Sequence, residues 1–214
     1  MYVFAAFAAI VVGLGAYTFY FSRSARIKRR LREAAEVSIA KAEDGQPVRI
    51  RGRLELLPDV TPLRSPVSGR ECAAYEVRVF QDKGDNTETV LAHHESINFQ
   101  LRDDTGVATV DGTLLDMLVQ VDREGRTGMF TGKLPEGLRA LLETKGIDTK
   151  GVFFQKAFTY SEGVFEPGEE IVVAGMGRWE RDPTQPGQGY RGTGRRLVIT
   201  PLDDGMLPAS DYAS

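Results

Sequence analysis

Apolar and polar positions divide the chain into three regimes. Tyr2 to Phe21 carries no charged side chain, and as a helix rising about 1.5 Å per residue it would span roughly 30 Å, the thickness of a hydrocarbon core. The pattern predicts a transmembrane helix over residues 2–21. From Ser24 to about Glu43 the composition turns to Ala, Arg and Glu without Gly or Pro. Leu31, Ala34, Ala35 and Ile39 fall on neighbouring turns and Gly45 supplies a stop, which predicts a neck helix within residues 22–45. Its apolar stripe is thin, so the neck reads either as a solvated rod or as a helix packed on the domain beyond it.

Past Pro47 the period becomes two. Val48, Ile50, Gly52 and Leu54 alternate with Arg49, Arg51, Arg53 and Glu55, a half-buried strand whose arginine face is either solvated or turned to an acidic partner. Pro58, Pro62 and Pro66 mark a loop, Ala74 to Phe80 resumes strand character, and Gln81 to Glu88 is a polar connection. Val90–Leu101 and Val107–Val110 read as two strands joined by a turn at Asp103-Asp104-Thr105-Gly106, and Leu114–Val121 continues the sheet. Leu134–Lys145 is a helix: Pro135 suits its first turn, Glu136 its positive end, and Leu138, Leu141 and Leu142 share a face. Val152–Ser161 and Ile171–Trp179 are further strands, the second introduced by Glu166-Pro167-Gly168-Glu169, which suits a type II turn. A glycine-rich stretch from Gly187 to Gly194 precedes the last strand, Arg196–Thr200, and the chain from Leu202 reads as a disordered tail. The expected fold is α+β, mainly β: a barrel-like antiparallel domain over residues 46–201 with one inserted helix, preceded by the transmembrane and neck helices and followed by a tail over 202–214.

Charge assigns these regions to different surroundings. The formal net charge of −3 conceals a neck of +3, since Met1 to Asp44 carry seven Lys/Arg against four Asp/Glu, and a remainder of −6. An acidic domain offers no footprint for phosphate backbones, so nucleic acid is not an expected partner. Arg23, Arg26, Lys28, Arg29, Arg30 and Arg32 come directly after the apolar segment with no acid until Glu33. Positive charge on that flank predicts a single-pass membrane protein with its C-terminal domain in the cytoplasm, as on a bacterial inner membrane, and the same six side chains are candidates for contact with anionic headgroups. A cleaved signal peptide fits less well, because the segment lacks a charged start and a small-residue cleavage site. Ala5, Ala9 and Gly13 recur at the spacing that lets two membrane helices approach, so a homodimer through this helix is a further expectation.

Candidate chemistry is sparse. One cysteine, Cys72, excludes an internal disulfide, and with only His93 and His94 beside it the chain cannot assemble a zinc cluster of the usual kind. Strand alternation sends the two histidines to opposite faces, so at most one could assist Cys72 as a nucleophile. Asp104-Thr105-Gly106 spells the aspartic-protease triplet, but Arg102 and Asp103 precede it where that active site needs an apolar strand, and no second copy occurs. A hairpin turn, with the Asp bonding its own backbone and Gly106 taking positive φ, accounts for it. The glycine-rich stretch precedes a strand rather than a helix, so it is neither a phosphate loop nor a dinucleotide fingerprint. No cofactor is expected. Arg178 and Trp179, with Tyr190 and Arg191 at the tip of the glycine-rich stretch, are the cationic and aromatic groups best suited to bind an unknown protein or small molecule; Trp179 also suits a core position.

Taken in order, Ser65-Pro66-Val67-Ser68-Gly69-Arg70-Glu71-Cys72-Ala73-Ala74-Tyr75, then Phe99-Gln100-Leu101-Arg102-Asp103-Asp104-Thr105-Gly106, then Pro167-Gly168-Glu169 leading to Val172-Val173-Ala174-Gly175, resemble the "beside a membrane" domain of the MULAN/GIDE-type E3 ubiquitin ligases. The resemblance covers most of Val48 to Thr200 and places Ser65, Pro66, Gly69, Cys72, Tyr75, Asp104, Gly106, Gly168 and Gly175 on the family motif, mostly in architectural roles. It implies a domain that senses or binds something at the membrane and passes the consequence to a RING. This chain has no second membrane helix and no RING, so the family's ligase activity does not carry over. The expectation is a membrane-anchored, non-enzymatic sensor or interaction module. The alternatives are an accessory subunit of a ligase-like or protease complex, and an enzyme acting through Asp104 or Cys72.

Overall fold

The computed structural model describes residues 23–82, 86–127, 133–147, 157–182, 194–202 and 205–212. Tyr2–Phe21, with its Ala5, Ala9 and Gly13 pattern, lies outside the described residues, as do Tyr190, Arg191 and most of the glycine-rich stretch. Among the described residues no helix is long and apolar enough to cross a membrane.

The period-two segment after Pro47 becomes β1 (Gln46–Leu56), and it closes a barrel. It pairs on one edge with β6 (Phe99–Asp103) and on the other with β11 (Glu170–Arg181); β6 pairs with β7 (Gly106–Val110), and β12 (Arg195–Thr200) bridges β7 to β11. The circuit β1-β6-β7-β12-β11-β1 is a closed five-stranded Greek-key barrel with the topology of the OB type. Alternation does what the sequence pattern demands: Val48, Ile50 and Leu54 point inward with Phe99, Leu101, Val110, Ile171, Val173, Leu197 and Ile199. Gly175 sits where β11 and β12 press together, since a Cβ there would lie 2.4 Å from the Thr200 carbonyl oxygen.

A second layer grows out of the connections. Between β1 and β6 the chain forms the short pair β2 (Leu63–Arg64) and β3 (Glu71–Cys72), then β4 (Ala74–Asp82) and β5 (Thr87–Ser96). Between β7 and β11 it forms β8 (Leu115–Leu118), β9 (Arg123–Thr127), α2 (Glu136–Thr144) and β10 (Ala157–Phe165). The order β5-β4-β10-β9 makes a four-stranded antiparallel sheet, and Leu138 and Leu142 of α2 bury with Val77, Val79, Phe158 and Val164 to give it a core of its own. Ala73 is the joint between the layers, its N–H donating to Phe165 O at 2.9 Å and its carbonyl accepting from Ile97 N at 2.9 Å.

Five expectations need correction. The run Val90–Leu101 is two strands in different sheets, broken at Ile97-Asn98, where Asn98 Oδ1 accepts from Gly112 N at 3.0 Å and turns the chain into the barrel. The sheet is not purely antiparallel: long crossovers return the chain so that β12 runs parallel to β7, and β13 (Leu207–Ser210) parallel to β8. That last strand also overturns the disordered tail, since its four residues are buried and Ala209 and Ser210 pair with Val173 and Val172. The neck is not one helix to residue 43: the helix seen from residue 23, here α1, ends at residue 33. The chain then runs extended beside β1, Arg49 donating to Ala35 O at 3.0 Å and accepting from Val37 N at 3.1 Å, before a short 3-10 turn at Ile39–Lys41. Helix propensity yields there because extension lets Ile39 bury.

The fifth concerns the Asp-Thr-Gly turn. Asp103, not Asp104, organises it: Oδ1 accepts from Thr105 N at 2.7 Å, the Thr105 hydroxyl at 2.7 Å and Gly106 N at 2.9 Å, while Oδ2 accepts from Ile39 N at 2.8 Å. Gly106 does not adopt positive φ; a type I turn wants Asp first and Gly fourth, and the glycine leaves room for the Ile39 side chain. Burial alone would raise the Asp103 pKa, but these donors together hold it below the ordinary carboxylate value. The folded state then binds fewer protons, so this contribution to stability is complete above the unfolded pKa of about 3.9 and lost as pH falls through the lower folded value. Asp103→Asn is expected to flatten the loss of stability below about pH 4, read from urea midpoints across pH; an unchanged acid limb would contradict the assignment.

Candidate functional site

Helix α1 (residues 23–33) is where the predicted anchor meets the domain, and its sequence contains its own seat. Ile27, Leu31 and Ala34 recur at four- and three-residue steps, one stripe along a helix, and all three are buried. They cover Val172 and Ala174 on the outer face of β11 and Leu118 of β8. Ile171 to Gly175 is therefore buried without a break, the odd positions by the barrel core and the even ones by α1.

Arg23, the first described residue of this helix, ties it to the domain. Its Nη1 donates to both Glu76 carboxylate oxygens, at 3.0 and 3.2 Å, and its Nε to Asp116 Oδ1 at 3.0 Å. Glu76 belongs to β4 and Asp116 to β8, so one guanidinium joins the helix to both layers. The acids are only 8% and 3% exposed, and each has a second cation: Arg78 Nε lies 2.6 Å from Glu76 Oε1 and Arg26 3.8 Å from Asp116. Beside this latch a crevice of about 40 Å³, lined by Arg23, Glu76, Arg78 and Glu162 among others, has room for little more than one water.

Further along α1 lies a larger cavity of about 210 Å³, lined by Lys28, Leu31 and Arg32 of the helix, Arg49 of β1, Leu118 of β8, Val172 of β11, and Ser210 and Tyr212 at the end of the chain. Leu31, Leu118 and Val172 give it an apolar floor, and its three charged lining residues are all cations. Lys28 Nζ stands 5.5 Å over the Tyr212 ring, and Arg49 donates from Nη1 to Leu31 O at 2.9 Å and pairs through Nη2 with Glu36 at 3.2 Å. Arg49 Nε is buried without an acceptor.

The predicted headgroup contacts thus divide. Arg23 is turned into the protein and Arg26 reaches toward Asp116, because buried acids claim them; Arg29 is exposed and 3.7 Å from Glu33; Lys28 and Arg32 line the cavity; Arg30 is half-buried. The arginine face of β1 is not simply solvated: Arg49 and Arg51 both pair with Glu36, and Arg51 with Glu170 at 3.5 Å.

The family-motif positions are architectural. Ser65, Pro66 and Gly69 form a turn around the buried Glu162 carboxylate, which accepts from Val67 N at 2.9 Å, Ser68 N at 3.2 Å and the Ser65 hydroxyl. Gly69 closes that turn at φ 72° and Gly168 takes φ 90° in the predicted Pro-Gly turn. Cys72 is fully buried, and burial first, with Glu162 and Glu166 adding to it, pushes its thiol up to about 12, so it is not a thiolate at neutral pH. Tyr75 donates to Glu95 Oε2 at 2.7 Å and meets His93 edge-on at 5.9 Å. Asp104 is exposed on its turn. Trp179 packs against the barrel core, donating from Nε1 to Ala42 O at 2.8 Å while Arg195 stands 5.8 Å from its ring, which leaves only Arg178 of that described pair exposed. Sequence reasoning passed over Glu76, Asp116 and Glu162, whose signal is an acid inside a strand, and Tyr212; it placed Arg49 on a strand face but not beside α1, where only the fold brings it.

Comparison of the chain with protein-family models, curated proteins and solved structures finds no match in any of the three.

Proposed function

We propose that this chain is a membrane-anchored, non-enzymatic binding or sensing module. Its anchor is Tyr2–Phe21, and α1 carries that anchor directly onto the barrel. The observation that supports this most is the seating of α1: a helix whose described part lies close after the apolar segment in sequence is fixed by an apolar stripe and by a two-acid latch rather than hanging as a free tether. A rigid junction couples the domain's orientation to the bilayer. Arg26, Lys28, Arg29, Arg30 and Arg32 still place an excess of positive charge on that flank, which orients the domain to the cytoplasm.

The test is topological and enzymatic together. A cytoplasmic reporter fused after Ser214 is expected to be active and an exported reporter silent, with the chain resisting extraction of membranes by high salt. The reverse reporter pattern, or release by salt, would sink the anchored reading. Turnover of ubiquitin conjugates, peptides or lipids by the purified chain alone would sink the non-enzymatic one.

The motif resemblance to the MULAN/GIDE-type ligases favours a second reading, an accessory subunit of a ligase-like or protease complex. One cysteine and two histidines cannot fill two four-coordinate zinc sites, so in this reading any ligase chemistry is supplied from outside these 214 residues. Crosslinking in native membranes, with an enzyme captured reproducibly on the domain, is the outcome that would select this reading over the first.

A further inference from the structure

The cavity beside α1 combines three properties that the latch, the barrel and the motif turns do not. Its floor is apolar, its charged lining residues are all cationic, and one of them, Arg49, is held in place from behind by Leu31 O and Glu36, with its Nε buried and bonded to no group of the protein. The nearby acids are committed elsewhere. Glu36 is held by Arg49 Nη2 and by Arg51, Asp211 accepts through both carboxylate oxygens from Gln120 N at 3.0 Å, and Glu33 faces Arg29. None of the three lines the cavity. A volume of about 210 Å³ holds roughly seven waters' worth of matter, enough for one tetrahedral or planar anion and the first few methylenes attached to it, and too little for a large cofactor.

We propose that this cavity binds an anionic amphiphile, its phosphate or carboxylate group held by Lys28, Arg32 and Arg49 and the start of its hydrocarbon chain lying on Leu31, Leu118 and Val172. Arg49 supplies a fixed positive charge at the wall, positioned by its bonds to Leu31 O and Glu36, and Lys28 and Arg32 supply charge from one helix face. Those two residues also line a shallower groove of about 390 Å³ on the outer side of α1, so the same pair borders both the cavity and the surface beside it. The inference deepens the anchored-module reading and rests on it for its setting. With Tyr2–Phe21 in a bilayer, Lys28, roughly 8 Å along the helix from Arg23, is level with lipid headgroups. A bilayer lipid and a soluble single-chain amphiphile share this chemistry.

The experiment is a calorimetric titration of the full chain, held in nanodiscs of zwitterionic phosphatidylcholine, with hexyl phosphate; empty nanodiscs are subtracted, and hexanol and inorganic phosphate serve as partial ligands. Saturable binding of hexyl phosphate is expected, about tenfold or more tighter than either partial ligand, and weakened about tenfold or more in the double variant Lys28→Gln, Arg32→Gln. Both positions are exposed, so that variant should melt at the wild-type temperature; Arg49→Lys, which keeps the charge and loses the planar guanidinium, should weaken binding by a smaller factor. Adding phosphatidylglycerol to the nanodisc and finding the hexyl phosphate curve displaced assigns the ligand to the bilayer, whereas an undisplaced curve assigns it to a soluble amphiphile; either supports the site. Equal affinity in the double variant, equal binding of inorganic phosphate and hexyl phosphate, or no saturation overturns the proposal. Release of inorganic phosphate from hexyl phosphate during the titration would sink the non-enzymatic reading and leave the site standing, so the two failures are distinguishable.

Discussion

Replacing Glu162 by alanine is expected to lower the free energy of unfolding by about 3–5 kcal/mol, the largest loss from any single polar side chain in the domain. Glu162 is 1% exposed and lies on β10, yet its carboxylate accepts from Val67 N, Ser68 N and the Ser65 hydroxyl, so it fills a turn formed almost a hundred residues earlier. Removing it leaves Val67 N without its acceptor, leaves Ser68 N and the Ser65 hydroxyl only their bonds within the turn, and opens a void where a fully buried side chain stood, which together cost more than the hydrogen bonds themselves are worth. Glu162→Gln separates shape from charge. Its amide keeps the volume but presents a donor where the loop already offers donors, so an intermediate loss is expected. Urea unfolding with an unchanged slope measures both, and a loss under about 1 kcal/mol for the alanine variant would contradict the role given to Glu162. Against a total stability of about 5–15 kcal/mol, the expected effect is enough to deplete the folded state at elevated temperature.

The second large effect is expected at Arg23. Arg23→Ala leaves Glu76 with Arg78 and Asp116 with only Arg26 at 3.8 Å, two nearly buried carboxylates short of their best partner. A loss of about 2–4 kcal/mol follows from breaking one member of a buried ion cluster, discounted because the guanidinium itself is partly exposed. Arg23→Lys should fall between, since an ammonium cannot serve both acids with the same fork. Neutralising the acids together, Glu76→Gln with Asp116→Asn, should restore part of the loss in the alanine background, because the penalty is the uncompensated charge. A second readout separates helix release from global destabilisation: limited proteolysis of Arg23→Ala should cut between residues 34 and 45 while β1 and the barrel stay protected. An unchanged urea midpoint together with an unchanged digestion pattern would mean that Arg23 does not hold the helix in place.

How much of the fold is legible in the sequence depends on how local the cause is. The alternation from Val48 to Leu54, the α2 leucines and the Pro167-Gly168 turn follow from neighbouring residues, and each appears where the pattern puts it. The break at Ile97-Asn98 is hidden because both halves of Val90–Leu101 have strand character and only the Asn98 contact with Gly112 diverts the chain. Ala35 to Glu43 keeps a helical composition, and the barrel overrides it by offering β1 backbone groups and a pocket for Ile39. Leu207–Ser210 is too short and too near the terminus to register as a strand without the waiting edges of β8 and β11.

The site is legible in fragments. Acids within Ala74-Tyr75-Glu76-Val77 and Leu115-Asp116-Met117-Leu118 announce buried charges that need a cation, and the unbroken run from Ile171 to Gly175 announces a strand covered on both faces. That Arg23 serves the first need and Ile27, Leu31 and Ala34 the second depends on contacts between distant parts of the chain, which no window of sequence contains.

The seat of α1 also constrains the order in which the molecule can be made. Ile27 and Leu31 leave the ribosome early, but Val172 and Ala174 appear well over a hundred residues later, and β13, which completes the edge beside them, comes last. At ordinary elongation rates the apolar stripe of α1 waits on the order of ten seconds for its partner. During that interval Ile27, Leu31 and Ala34 lack the strand face that buries them, and they can seat only once β11 has been made. Contacts this distant in sequence make folding slow, so the apolar stripe of α1 spends its early life without its final partner.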